Sequence, residues 1–154
     1  MTQDDGSLTY TLSANAYTEL LARCRSELPN EACGLLIGSN TNHAIIDGVL
    51  PIKNVHPNPR SAFAFEPAAW ISAMYQLQVN KQHLVGYYHS HPRSIPIPST
   101  SDSAGSPPQA GAITLIVSFF THEPVIRAYW KPSDEWLPVE LCIEHVQPDN
   151  KQAD

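Results

Sequence analysis

The chain has 154 residues, enough for one domain with a sizeable core. Hydrophobic residues make up 42% and charged residues 16%, which excludes a disordered chain. The formal net charge of −6 argues against a surface built for nucleic-acid phosphates, and no run of about 18 apolar residues is present to span a membrane.

Residues 1–7 read as a flexible lead. They lack the basic start and apolar core of a secretory signal, so a cytoplasmic protein is expected. Leu8 to Leu12 reads as a short strand, with threonine and tyrosine between leucines. Ser13 is placed to cap a helix. Tyr17, Leu20, Leu21, Cys24 and Leu28 follow at helical spacing, and Pro29-Asn30 ends the run. Ala32 to Ile37 is a short apolar strand with a turn at Gly38-Ser39-Asn40. Ala44 to Val55 is rich in Ile and Val and predicts further strand, interrupted near Asp47-Gly48. His56 to Arg60 is a loop. Ala62 to Phe65 predicts a strand, whose edge would suit an extended peptide tail.

Pro67 suits the first turn of a second helix, with Trp70, Met74 and Leu77 on one face. Leu84 to Tyr88 predicts a strand that ends in a pair of histidines. Residues 92–108 carry five prolines and no apolar period, so they read as a stiff loop. Ala112 to Phe119 and Pro124 to Trp130 predict a hairpin, and Trp136 to Ile143 a last strand. Residues 146–154 are a polar tail. One folded unit over 8–145 is expected, without repeat or second domain. The element order predicts an α/β fold, a mixed central sheet flanked by helices. Cys24, Cys33 and Cys142 stand far apart and in odd number. They suit neither a disulfide framework nor a CxxC zinc knuckle, and buried free thiols are expected.

The chemistry concentrates between His89 and Asp102. Residues two apart on an extended segment project from one face, so His89 and His91 can converge on one ion. Ten residues separate His91 from Asp102, and Pro92, Pro96 and Pro98 stiffen them. A stiff loop loses less entropy when it places a third ligand. Three ligands with an open fourth position are the count of a catalytic zinc site. Ser99 with Asp102 also fits a helix-capping pattern, and a cap at Ser99 would let a short helix present Asp102. A hydrolase needs a proton shuttle as well. Glu31, at the start of the strand 32–37, is the candidate, against the reading of a solvated loop glutamate.

Together these residues resemble the JAMM motif of the MPN+ metalloprotease family: Glu, a long gap, His-Ser/Thr-His, seven residues, Ser, two residues, Asp. Here the positions are Glu31, His89-Ser90-His91, residues 92–98, Ser99 and Asp102. The segment Asn30 to Gly38 is similar to the strand after the glutamate in compact bacterial members. The resemblance runs from about residue 8 to 144. It implies a cytidine-deaminase-like sandwich. It implies that His89, His91 and Asp102 bind one Zn2+, that Glu31 acts as general base and then acid, and that Ser99 donates to the oxyanion. It also implies a substrate: a ubiquitin-like sulfur-carrier protein, or its C-terminal conjugate, cut after Gly-Gly. Oligomeric state is not legible. The short segment after Asp102, Ser-Ala-Gly-Ser-Pro-Pro, departs from the longer helix of larger members and bears on how rigidly Asp102 is held.

A RadC-like protein of the same superfamily shares the histidine spacing, but the Glu-Ala-Cys-Gly segment favours the peptidase. A non-catalytic MPN scaffold would lose the ligands, and all are present. A nucleoside deaminase needs His-x-Glu and Pro-Cys-x-x-Cys, which are absent. Cys33 lacks a paired base. His43, His56, His83, His122 and His145 lack ligand spacing and read as structural or solvated.

Overall fold

Alternation along two central strands decides which helix covers which face. The structure, a computed structural model, describes residues 9–107 and 111–145. The expected lead, the expected tail and Leu8 lie outside the described residues. In chain order come β1 (Thr9–Leu12), α1 (Ala14–Glu27), β2 (Cys33–Ser39), β3 (Ile45–Ile46), β4 (Gly48–Ile52), α2 (Pro67–Val79), β5 (Gln82–His91), α3 (Asp102–Gly105), β6 (Ile113–Ser118), β7 (Val125–Trp130) and β8 (Leu137–Ile143). The described strands form one mixed sheet in the order β3-β1-β8-β7-β6-β5-β2-β4. β5 and β6 run parallel at its centre, and β2 lies antiparallel to β5.

Neighbouring residues of β2 and β5 enter different cores, as a period of two requires. Leu36 and Tyr88 join the core beneath α1, with Leu20, Leu21 and Cys24. Leu35 and Tyr87 join the core beneath α2, with Ala73, Leu77, Phe63 and Phe65. The expected α/β sandwich with a central sheet is therefore the observed architecture. Ser13 caps α1 as expected, its Oγ accepting the Ala16 N–H at 3.1 Å. Leu28 does not continue the buried stripe. It is the C-cap of α1 and stands 42% exposed. The turn expected at Gly38 comes later, because β2 runs on to Ser39.

One expected strand is absent. Ala62 to Phe65 makes a single antiparallel bridge, Asn54 with Phe65. The Asn54 side chain explains why. Its amide donates to Ala62 O and accepts from Ala64 N–H, at 3.1 and 3.0 Å. A side chain thus takes two of the backbone groups that a strand partner would pair. The edge once expected for a peptide tail is occupied by Asn54 instead. Among the described residues no helix is long and apolar enough to cross a membrane.

Candidate metal centre

The site forms where the end of β5 meets the start of β2. Cys33 pairs with His89, and the Ser90 N–H donates to Ala32 O at 3.0 Å. Continuing that register sets Glu31 against His91. Glu31, His89 and His91 share parity with Cys33 and Tyr87, so they face the α2 side of the sheet. Ser90 faces the other way, and its Oγ accepts the Ala32 N–H at 2.8 Å.

The proline-rich segment after His91 is pinned from below. The Ser118 hydroxyl donates to Ser94 O at 2.6 Å, and the Tyr129 hydroxyl donates to Pro96 O. His91 Nδ1 lies 2.8 Å from Ile95 O. A carbonyl can only accept, so Nδ1 donates to it, which leaves Nε2 as the nitrogen that can offer a lone pair to a cation. That is the tautomer a metal ligand needs. The segment then folds back and delivers Asp102 at the first position of α3, buried.

Three ligand atoms converge. His89 Nε2 and His91 Nε2 stand 3.3 Å apart. Asp102 Oδ2 stands 3.1 Å from the first and 3.2 Å from the second. Around a tetrahedral ion with bonds of about 2.0–2.1 Å, neighbouring ligand atoms stand about 3.3 Å apart. The triangle has that size. Two imidazole lone pairs and a carboxylate oxygen facing one point repel one another unless a cation or protons lie between them. The donor set therefore fits a divalent ion such as zinc. With Glu31, four ligand-bearing residues have atoms within 4.8 Å of one another, all buried.

The electrostatics fit a cation site. Burial opposes the charged form of Asp102, but hydrogen bonds with His89 and His91 outweigh it and hold the carboxyl well below its ordinary value. Burial lowers His89. Burial also acts to lower His91, but hydrogen bonds to Asp102 and Ile95 win and raise it. Glu31 is 3% exposed. Burial first, then the Asp102 charge, push its carboxyl up to about 7, with His91 acting against them. Its Oε1 has no hydrogen-bond partner among the described residues, nor has Asp102 Oδ1. A solvated loop glutamate is thus not what Glu31 is.

Ser99 lies at the rim, exposed. Its backbone N–H donates to Asp102 Oδ2 at 2.8 Å, while its Oγ pairs with Ser101 Oγ at 3.1 Å. The expected cap runs in reverse. The acid side chain reaches back to the serine backbone, and α3 takes Ser101 as its N-cap without a side-chain bond.

Sequence reasoning missed three supports. On the sequence alone Ser90 is only the spacer between the histidines. Phe63 stacks on His89, ring centres 4.4 Å apart and planes 21° from parallel. Asn54 also donates to Glu31 O at 3.0 Å. Asn54 falls inside the segment Ala44 to Val55 expected as strand, so nothing local marked it. Cys24 and Cys33 are buried and free, but Cys142 is exposed, against expectation. Burial raises the Cys33 thiol, and its Sγ meets Ile52 O at 3.4 Å, so it is inert. His43 and His83 stack on each other, 3.7 Å between centres, away from this centre.

The sequence matches the family described as prokaryotic homologs of the JAB domain over residues 13–132. It is 32% identical over 138 residues to a protein of Haloferax volcanii named desampylase, covering 87% of this chain and 96% of that one. It is 34% identical over 84 residues to a Thermus thermophilus protein named probable TtuB-protein conjugate cleaving protease, covering 54% of each chain. The fold is similar to the solution structure of a Desulfitobacterium hafniense protein, with a TM-score of 0.77, 28% identity and coverage of 89% of this chain and 94% of that one. It also matches the fold of a JAB1/MPN domain protein from Archaeoglobus fulgidus, with a TM-score of 0.53, 20% identity and coverage of 86% and 97%. With its family match over residues 13–132 and its buried Glu-His-His-Asp centre, the chain belongs to the JAB family, also called JAMM or MPN, in its prokaryotic form.

Proposed function

We propose that the chain is a zinc-dependent peptidase or isopeptidase that cuts the amide bond after the C-terminal Gly-Gly of a ubiquitin-like sulfur-carrier protein. The observation that carries the chemistry is the triangle of His89, His91 and Asp102 beside the buried Glu31. The substrate class rests on the names of the Haloferax and Thermus relatives, which concern protein conjugates. His89, His91 and Asp102 would hold the ion. Bound there, zinc would acidify a water and polarise the scissile carbonyl.

The other steps fall to the chain's own side chains. Glu31 takes the proton of the attacking water and passes it to the leaving amine. A buried carboxyl beside the ion-binding triangle stands where it can serve both transfers. The exposed Ser99 hydroxyl, one turn of backbone from Asp102, donates to the developing oxyanion. Cytoplasmic placement agrees with three free thiols.

Mass spectrometry of ubiquitin-like carriers extended past Gly-Gly tests the reading. Protein loaded with about one zinc per chain should release the extension, and Glu31→Gln protein should not. A broad panel left intact by the zinc-loaded protein would overturn the substrate class. Absence of bound zinc after zinc is supplied would overturn the metal.

A further inference from the structure

The other three members of the centre have partners that set their side chains. His91 has Ile95 O, Asp102 has the Ser99 N–H, and His89 has the Phe63 ring. Glu31 Oε1 has none among the described residues. The aim of its carboxyl therefore depends on its backbone. That backbone is held on both sides by one loop. The Glu31 N–H donates to Pro59 O at 2.7 Å, and Glu31 O accepts from Asn54 Nδ2 at 3.0 Å.

Asn54 closes this loop. Its Nδ2 also donates to Ala62 O, and its Oδ1 accepts from His56 N–H and Ala64 N–H, both at 3.0 Å. Two donors and a twice-used acceptor exhaust what one amide offers. The neighbouring backbone adds Val55 N–H to Ala64 O and Glu66 N–H to Lys53 O. The same loop carries Phe63, the plate under His89. It also carries Phe65, whose N–H donates to Gly105 O of α3. One side chain thus ties together the supports of Glu31, His89 and the helix that begins with Asp102.

We infer that Asn54 is a positioning residue of the reaction, holding the Glu31 peptide so that its carboxyl faces the ligand triangle. This rests on the reading of Glu31 as the proton carrier. Only an amide serves. Aspartate has the same shape but offers two acceptors to the carbonyls of Glu31 and Ala62, which need donors.

The test compares the parent with Asn54→Asp and Asn54→Ser by amide hydrogen exchange of metal-free protein, zinc content, and steady-state cleavage. In both variants the Glu31 amide should exchange at least tenfold faster, while the Leu20 and Leu115 amides keep their protection. Zinc content should stay near that of the parent, and kcat should fall at least tenfold with KM within twofold. A merely structural role would speed all amides together and lower the folded fraction, leaving kcat per folded, loaded molecule unchanged. That result would overturn the inference, as would an unaltered Glu31 amide. Failure of both variants to fold would make Asn54 a determinant of the fold and would overturn it too. If the parent cuts no conjugate, the functional reading fails, and the exchange rates still decide the place of Asn54.

Discussion

Ser90 reaches across from β5 to Ala32 beside it: its Oγ accepts the Ala32 N–H at 2.8 Å, on the opposite face from the two histidines. The bond joins the strand that carries His89 and His91 to the residue after Glu31. Ser90 is fully buried, so no water replaces the lost partner. Ser90→Ala should therefore cost about 1–3 kcal/mol, the penalty of an unsatisfied buried donor. Each kcal/mol lowers Tm by about 2–4 °C in a chain of this size. Calorimetry of the metal-free protein checks this. A change below half a degree would mean that the bond contributes nothing.

Glu31→Gln separates holding the ion from moving the proton. Glutamine keeps the shape of the side chain and leaves His89, His91 and Asp102 untouched. The variant should bind zinc at the stoichiometry of the parent, read by elemental analysis. Its kcat should fall by about 10²–10⁴-fold, the usual contribution of a positioned acid-base group. An undiminished rate would remove Glu31 from the chemistry while leaving the ion site intact.

The same substitution has an opposite effect on stability in the metal-free state. Burial raises the folded Glu31 carboxyl from 4.5 to about 7. Between those values the folded chain holds a proton that the unfolded chain has lost, so stability falls as pH rises. This contribution is complete below about 4.5 and gone above about 7. Glutamine stays neutral and escapes the loss. Metal-free Glu31→Gln protein should therefore melt above the parent at pH 8 and level with it at pH 4. A parent that melts higher at pH 8 would show that the buried carboxylate is compensated by charges of the protein itself.

What the sequence made legible follows from the range of each signal. Two histidines one residue apart on a strand must share a face, and the structure keeps them so. The apolar stripe over Leu20, Leu21 and Cys24 is local in the same sense. Ala62 to Phe65 misled because its composition suits a strand, while Ala62 O and Ala64 N–H pair with a side chain eight to ten residues upstream. The Ser99–Asp102 spacing announced a real bond but not its direction, since either side chain of such a pair can reach the other's backbone. Asn54 carried no local signal at all. Its importance lies in its contact with Glu31, which comes into reach when β4 pairs with β2.

Gly105 is the last residue of α3, and it touches the support of His89. A Cβ placed there would clash with two carbons of the Phe63 ring. Phe63 is buried and stacks on His89, so the ring has little room to yield. Gly105→Ala must then push Phe63 into His89 or lift α3, and with it Asp102, away from the triangle. Either movement spreads ligand atoms that now stand 3.1–3.3 Å apart. Overpacking of this kind costs about 1–3 kcal/mol. The expected result is a lower Tm together with zinc affinity weakened by about tenfold, in the range typical for a disturbed support of a metal ligand. Competition with a chromogenic chelator reads the affinity independently of cleavage. Unchanged affinity in a destabilised variant would show that the Phe63 ring supports the core without setting the ligand that it covers.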